Sequence, residues 1–177
     1  MQSGQERNRS IIKIIVLIFS ILILKENSMT INFNDFIEKA IEWANSKMNS
    51  TNYTLICLAF VEDAYERSNG IEMFGGSTAK ESADLYGAGK NMTIPPKGSF
   101  VFYDCSGKVQ DEMKYWGHVG LCIGNGEVIH AWDRVRINNY LEIQELTPVP
   151  GWTNPKFIGW SPVETILNGY QLKEWIK

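Results

Sequence analysis

The sequence predicts an α+β fold in which N-terminal helices pack on a central antiparallel sheet of about five strands. Two observations carry this. Apolar residues recur at helical spacing in the segment before Gly87, and past Pro95-Pro96 short runs rich in β-branched and aromatic residues, bounded by turn residues, take over. Helices first and strands later give segregated layers, not the alternation that a parallel sheet requires. A chain of 177 residues with 44% hydrophobic content fits one globular domain with a real core.

The elements are taken in chain order. Phe33, Phe36, Ile37, Ala40, Ile41 and Ala44 fall on one helical face, and Asp35 with Glu38 three residues later makes a capping pair. The run from Cys57 to Arg67 reads as a second helix stopped by Asn69-Gly70, which puts Cys57 in its first turn. Thr78-Ala79-Lys80-Glu81 is a capping box that opens a short third helix ending at Gly87. Strands are expected at Ser99 to Asp104, Gly117 to Ile123, Glu127 to Asp133, Tyr140 to Leu146 and Phe157 to Trp160. Ser161-Pro162-Val163-Glu164 starts a closing helix with Pro at its first position.

Ahead of this domain, Ile14 to Leu24 is an unbroken apolar run preceded by Arg7, Arg9 and Lys13, the arrangement of a secretory signal. The run is short for a transmembrane helix, which needs about 20 apolar residues. Lys25-Glu26-Asn27-Ser28 lacks the small residues a signal peptidase needs, which leaves an uncleaved anchor, or an upstream extension before a true start at Met29, as further readings. Residues 1–28 are therefore set apart from a domain at 29–177. A signal or anchor implies a secreted or cell-surface protein; a start at Met29 implies a cytoplasmic one.

With 17 basic and 20 acidic side chains the net charge is −3, so there is no electrostatic case for nucleic acid, nor for a membrane surface beyond the N-terminal segment. A monomer is expected. Three cysteines without a C-x-x-C pair build neither a disulfide framework nor a zinc ribbon, and at least one is unpaired.

Cys57 is the candidate nucleophile. The partial positive charge at a helix N-terminus lowers a thiol's pKa, and the free N–H groups there can hold an oxyanion. The bland alternative is a small buried hydrophobe. Both histidines of the chain lie on the arms of one expected hairpin, His118 on Gly117 to Ile123 and His130 on Glu127 to Asp133. With a two-residue Asn125-Gly126 turn, His118 shares a face with Asp133; with a three-residue Gly124-Asn125-Gly126 loop it shares one with His130. Glycines at both ends favour the longer loop. Either Asp133 or His130 then orients the imidazole. Asp104-Cys105-Ser106-Gly107 is a decoy: Cys105 ends a strand, and the stretch Lys108-Val109-Gln110-Asp111-Glu112 beyond it has no apolar helical face.

The order of Cys57 on a helix, then Pro96-Lys97-Gly98-Ser99-Phe100-Val101-Phe102, then Gly117-His118-Val119-Gly120-Leu121-Cys122-Ile123-Gly124-Asn125-Gly126-Glu127-Val128-Ile129-His130-Ala131, resembles the NlpC/P60 family over roughly Asn32 to Pro162. The resemblance implies a papain-like fold and a cysteine peptidase or amidase, most often acting on bacterial cell-wall peptidoglycan. It makes Cys57 the nucleophile, His118 the base and His130 the polar residue that orients it, with no metal and no cofactor. Family members usually carry Asp before and Ser after the cysteine, where they help hold the substrate amine. Here Ile56 and Leu58 stand at those places, so the usual D-glutamyl–diamino-acid cleavage does not carry over. The upstream Tyr-x-Trp-Gly-Gly segment is also missing. CHAP amidases match nearly as well but lack the Ile-His-Ala ending.

Tyr53, Trp116 and Trp132 are candidate substrate contacts, the tryptophans because they flank the hairpin histidines. Readings of other classes are an inactive member that binds peptide or wall fragments, an acyltransferase using the same Cys–His dyad, and a metal site built from Cys57, His118 and His130, with Cys122 near.

Overall fold

A computed structural model describes residues 32–109, 111–148 and 150–175. The apolar run of the N-terminal segment, with its readings as signal, anchor or extension, lies outside the described residues. Helix α1 is Phe33–Asn45 and α2 is Cys57–Asn69. Ile37, Ala40, Ile41 and Ala44 of α1 are buried, the face expected from their spacing. Asp35 lies inside the first turn and pairs with Lys39 at 2.6 Å, while Glu38 pairs with Lys97; they do not form a capping pair. Helix α2 ends where Gly70 turns left-handed, φ 63°, its N–H closing on Glu66 O. Thr78 caps α3 (Ala79–Leu85): its side chain accepts from Glu81 N, and the Glu81 carboxylate takes Ser77 N–H at 2.9 Å.

Strand β1 is Ile71–Glu72, β2 Phe100–Asp104, β3 Ser106–Val109, β4 Glu112–Tyr115, β5 His118–Gly124, β6 Glu127–Ala131, β7 Val135–Asn139, β8 Lys156–Ser161 and β9 Gln171–Leu172; α4 is Val163–Ile166, with Pro162 as its N-cap. The central sheet has five strands in the order β7-β6-β5-β2-β8, every neighbouring pair antiparallel. The expected α+β architecture is therefore what the chain adopts.

Alternation along β2 divides the core. Phe100 and Phe102 face the helices and join Phe60, Val61, Ala64 and Tyr65 of α2, whereas Val101 and Tyr103 meet Val128, Ile143 and Phe157 on the other face. Buried on both sides, the sheet is a rigid platform, and Tyr65 ties α2 to it through a 2.6 Å hydrogen bond from its hydroxyl to Gly98 O.

Three elements depart from expectation. The fifth strand of the sheet is Val135–Asn139, not Tyr140 to Leu146, whose Glu142–Glu145 forms a 3-10 turn. Val135, Arg136 and Ile137 continue the β6 ladder, with His130 opposite Arg136, so the pairing edge is used before Tyr140 is reached. The β3–β4 hairpin was not expected; Met113 and Tyr115 alternate along β4 but stay exposed. Finally, the β5–β6 turn is Asn125–Gly126 alone, both residues left-handed at φ 53° and 75°. A bulge between Cys122 and Gly124 adds the residue that the longer loop was expected to supply.

Candidate active site

That bulge decides which side chains meet. A two-residue turn without it would have turned His130 away from His118; the extra residue reverses the parity, and Gly120 comes to lie opposite His130 on the face that carries His118. Gly120 is required there: a Cβ would come within 2.3 Å of Val128 Cγ1 and 2.9 Å of His130 Cβ. The imidazoles are 2.9 Å apart, His118 Nε2 to His130 Nδ1, and edge-to-face. His130 Nε2 in turn lies 3.3 Å from Asn138 Oδ1 on β7. An amide oxygen only accepts, so His130 donates from Nε2, its Nδ1 accepts from His118 Nε2–H, and His118 Nδ1 keeps its lone pair. Asp133 takes no part in this line; it pairs with Arg134 and Arg136 at the surface.

Cys57 is the first residue of α2. Its sulfur meets the backbone N–H groups of Val119, Leu58 and Cys57 itself, so it sits beside the start of β5. No hydrogen bond joins it to His118 in this resting arrangement. The helix terminus was expected to lower the thiol's pKa. The balance goes the other way: burial pushes the thiol up to about 11, the nearby Glu62 charge adds to this, and the three N–H groups offset only part of it. Burial, then the charge of His130, holds His118 well below the ordinary histidine value; burial lowers His130 to about 4, against an opposing pull from Asn138. Burial thus disfavours the charged form of both the thiol and the imidazole.

Both groups open on one cleft of about 390 Å³, whose walls include Leu58, Trp116, Trp132 and Trp152. Trp132 sets its ring edge-to-face on His118 at 5.0 Å and donates from Nε1 to Thr147 O at 3.1 Å. Trp116 donates from Nε1 to Gly107 O, which fixes it against β3. Tyr53 stands apart from this cleft: its hydroxyl donates to Asp63 at 2.8 Å and its ring packs on Trp43 and Phe60. Cys105 is closer to the chemistry than its sequence context indicated, because its side chain forms part of the cleft wall; burial and the neighbouring Cys57 raise its thiol to about 12. Cys122 is buried with Sγ donating to Pro95 O.

Sequence reasoning missed Asn138, Trp152 and Glu62. The Asn138 position was readable in principle from the apolar–polar alternation Val135-Arg136-Ile137-Asn138, once the β6–β7 loop is set at Trp132-Asp133-Arg134, which puts Arg136 opposite His130 and Asn138 on the same face. Glu62 lies little more than a helical turn beyond Cys57 and lines the same cleft; burial first, then Glu66 and Asp63, raises its carboxyl to about 7. The set comprises a thiol at a helix N-terminus, N–H groups around it, and an imidazole whose outer nitrogen is tied down. It can support acyl transfer through sulfur.

A search among curated proteins finds no match. The family model for the NlpC/P60 family matches residues 42–147, more than half of the chain and a span that holds Cys57, both histidines and Asn138. The chain therefore belongs to the NlpC/P60 family, in general one of papain-like cysteine peptidases and amidases.

Proposed function

We propose that the protein hydrolyses an amide bond of a peptide, in bacterial cell-wall peptidoglycan, with Cys57 as nucleophile, His118 as base and His130 as the residue that orients it. The observation that carries this reading is the hydrogen-bonded line Asn138–His130–His118, which leaves His118 Nδ1 as an acceptor beside the cleft that Cys57 shares.

The chemistry starts from the two neutral groups. As sulfur attacks the carbonyl, Nδ1 of His118 takes the thiol proton, so the costly buried thiolate need not exist beforehand. The oxyanion of the tetrahedral intermediate accepts from N–H groups at the start of α2. The imidazolium then gives its proton to the leaving nitrogen, the C–N bond breaks and a thioester remains. Water attacks the thioester while Nδ1 takes its proton, and the C–S bond breaks to release the acid and the thiol. A wall substrate also requires export, the role the N-terminal apolar run would serve as signal or anchor.

The raised thiol supports a second reading, a module that binds peptide or wall fragments without turnover. Digestion of purified peptidoglycan by the full-length chain, with mass analysis of released muropeptides, separates the two. Release is expected from the wild type and from Cys105→Ala, and none from Cys57→Ala, whose circular dichroism stays native. Equal loss in both variants contradicts the assignment of Cys57. Sedimentation with the wall but no release from the wild type favours the binding module.

A further inference from the structure

Two residues at the mouth of the cleft are poor choices for the backbone that carries them. Leu55 holds a left-handed conformation, φ 66°, which a branched side chain disfavours and Gly or Asn tolerates. Ile56 is the N-cap of α2 and makes no capping hydrogen bond, at a place where Ser, Thr, Asp and Asn stabilise a helix. Neither is compensated by burial, since Leu55 is 52% exposed and Ile56 50%. Folding and solubility both favour polar residues at the two positions. A departure from local preference on this scale points to function.

What the two side chains share is the cleft. They line its mouth, next to Cys57, and Leu58 with the three tryptophans continues the apolar surface inward. No Lys or Arg lines it among the described residues, and its one carboxylate is Glu62. An anionic group would enter without a counter-charge; a hydrocarbon group would be removed from water on several sides.

We propose that this cleft is an apolar specificity site, in which Leu55, Ile56 and the tryptophans receive an uncharged hydrocarbon group of the substrate beside the attacked carbonyl. Such a group is either a side chain of leucine or phenylalanine size or an acyl chain. The inference rests on the hydrolase reading for its place in catalysis and departs from the wall-peptide reading on the substrate, since stem peptides carry small or charged side chains; the polarity of the site is measurable without turnover.

Alkylation of Cys57 in the full-length protein, with peptide mass mapping of the products, reads that polarity. The reagents are iodoacetamide, N-benzyl and N-octyl iodoacetamide, and iodoacetate, each rate divided by that of the same reagent with free cysteine. An apolar reagent is expected to exceed iodoacetamide by about tenfold or more, with iodoacetate the slowest. Preference for benzyl indicates a side chain, preference for octyl an acyl chain. Leu55→Asn with Ile56→Ser is expected to erase the preference without lowering the unfolding temperature, because both replacements suit the backbone. Equal normalised rates in the wild type, or a preference that survives both substitutions, overturns the proposal. Apolar-selective labelling without hydrolysis of any peptide leaves the site standing and removes the hydrolase reading; hydrolysis indifferent to apolar flanking groups does the reverse.

Discussion

Because an amide oxygen cannot donate, Asn138 fixes the proton positions of two buried imidazoles, and through them the nitrogen that faces the cleft. It does not line the cleft itself, so it acts as a positioning residue. Asn138→Leu removes the acceptor, frees His130 to present the wrong tautomer, and is expected to lower kcat by up to about a hundredfold with little change in KM. Asn138→Asp keeps an acceptor and restores the tautomer. Its carboxylate favours the imidazolium, so the acid limb of the pH–rate profile moves to higher pH. Stopped-assay kinetics on both variants check this; a KM effect with unchanged kcat contradicts it. The placement of Cys57 at a helix start and of His118 on a hairpin strand was legible from residue type and order, whereas the thiol's pKa was not. A helix terminus can be read from sequence, but the burial that outweighs it is a property of the assembled cleft.

At the scale of elements, the β5–β6 hairpin does the aligning. Its glycines and both histidines are local in sequence and were readable; its turn was expected one residue too long, because the bulge that supplies the extra residue on β5 leaves no local signal. Gly120→Ala tests the close approach the bulge creates. Overpacking against Val128 and His130 is expected to cost about 1–3 kcal/mol and to disturb the 2.9 Å imidazole contact. Urea denaturation midpoints and hydrolysis rates should both fall, and a variant with full activity contradicts the packing argument. The β3–β4 hairpin and Trp152 escaped sequence reading for a different reason. Met113 and Tyr115, the alternating apolar residues of β4, stay exposed and point to no core; the hairpin is held by neighbours, with Trp152 seated on Gly107 so closely that a Cβ there would lie 1.9 Å from its ring.

For the molecule as a whole, the buried histidines link stability to pH. Between the ordinary value of 6.5 and about 4, His130 is protonated in the unfolded chain but neutral in the fold, so acidification through that window favours unfolding by up to roughly 3 kcal/mol. Glu62 works in the opposite sense: its raised carboxyl binds a proton more readily in the fold, and that contribution is lost as pH rises through about 7. Denaturant titrations between about pH 4 and 8 should show His130→Gln flattening the acid side and Glu62→Gln flattening the side near neutrality; unchanged slopes contradict the burial of these groups. The α+β layering was legible because periodicity reports which face each long element buries, as Phe100 and Phe102 against Val101 and Tyr103 illustrate. Contacts between distant elements, such as β2 with β8, carried no comparable local signal. The central claim is that sulfur of Cys57 carries the acyl group and that His118 drives its transfer. Acid quenching during peptide hydrolysis, proteolysis and mass mapping measures this directly: the account predicts a thioester on the Cys57 peptide in the wild type and its loss in His118→Ala, whereas ongoing hydrolysis with no adduct at Cys57, or an adduct at Cys105, would contradict it.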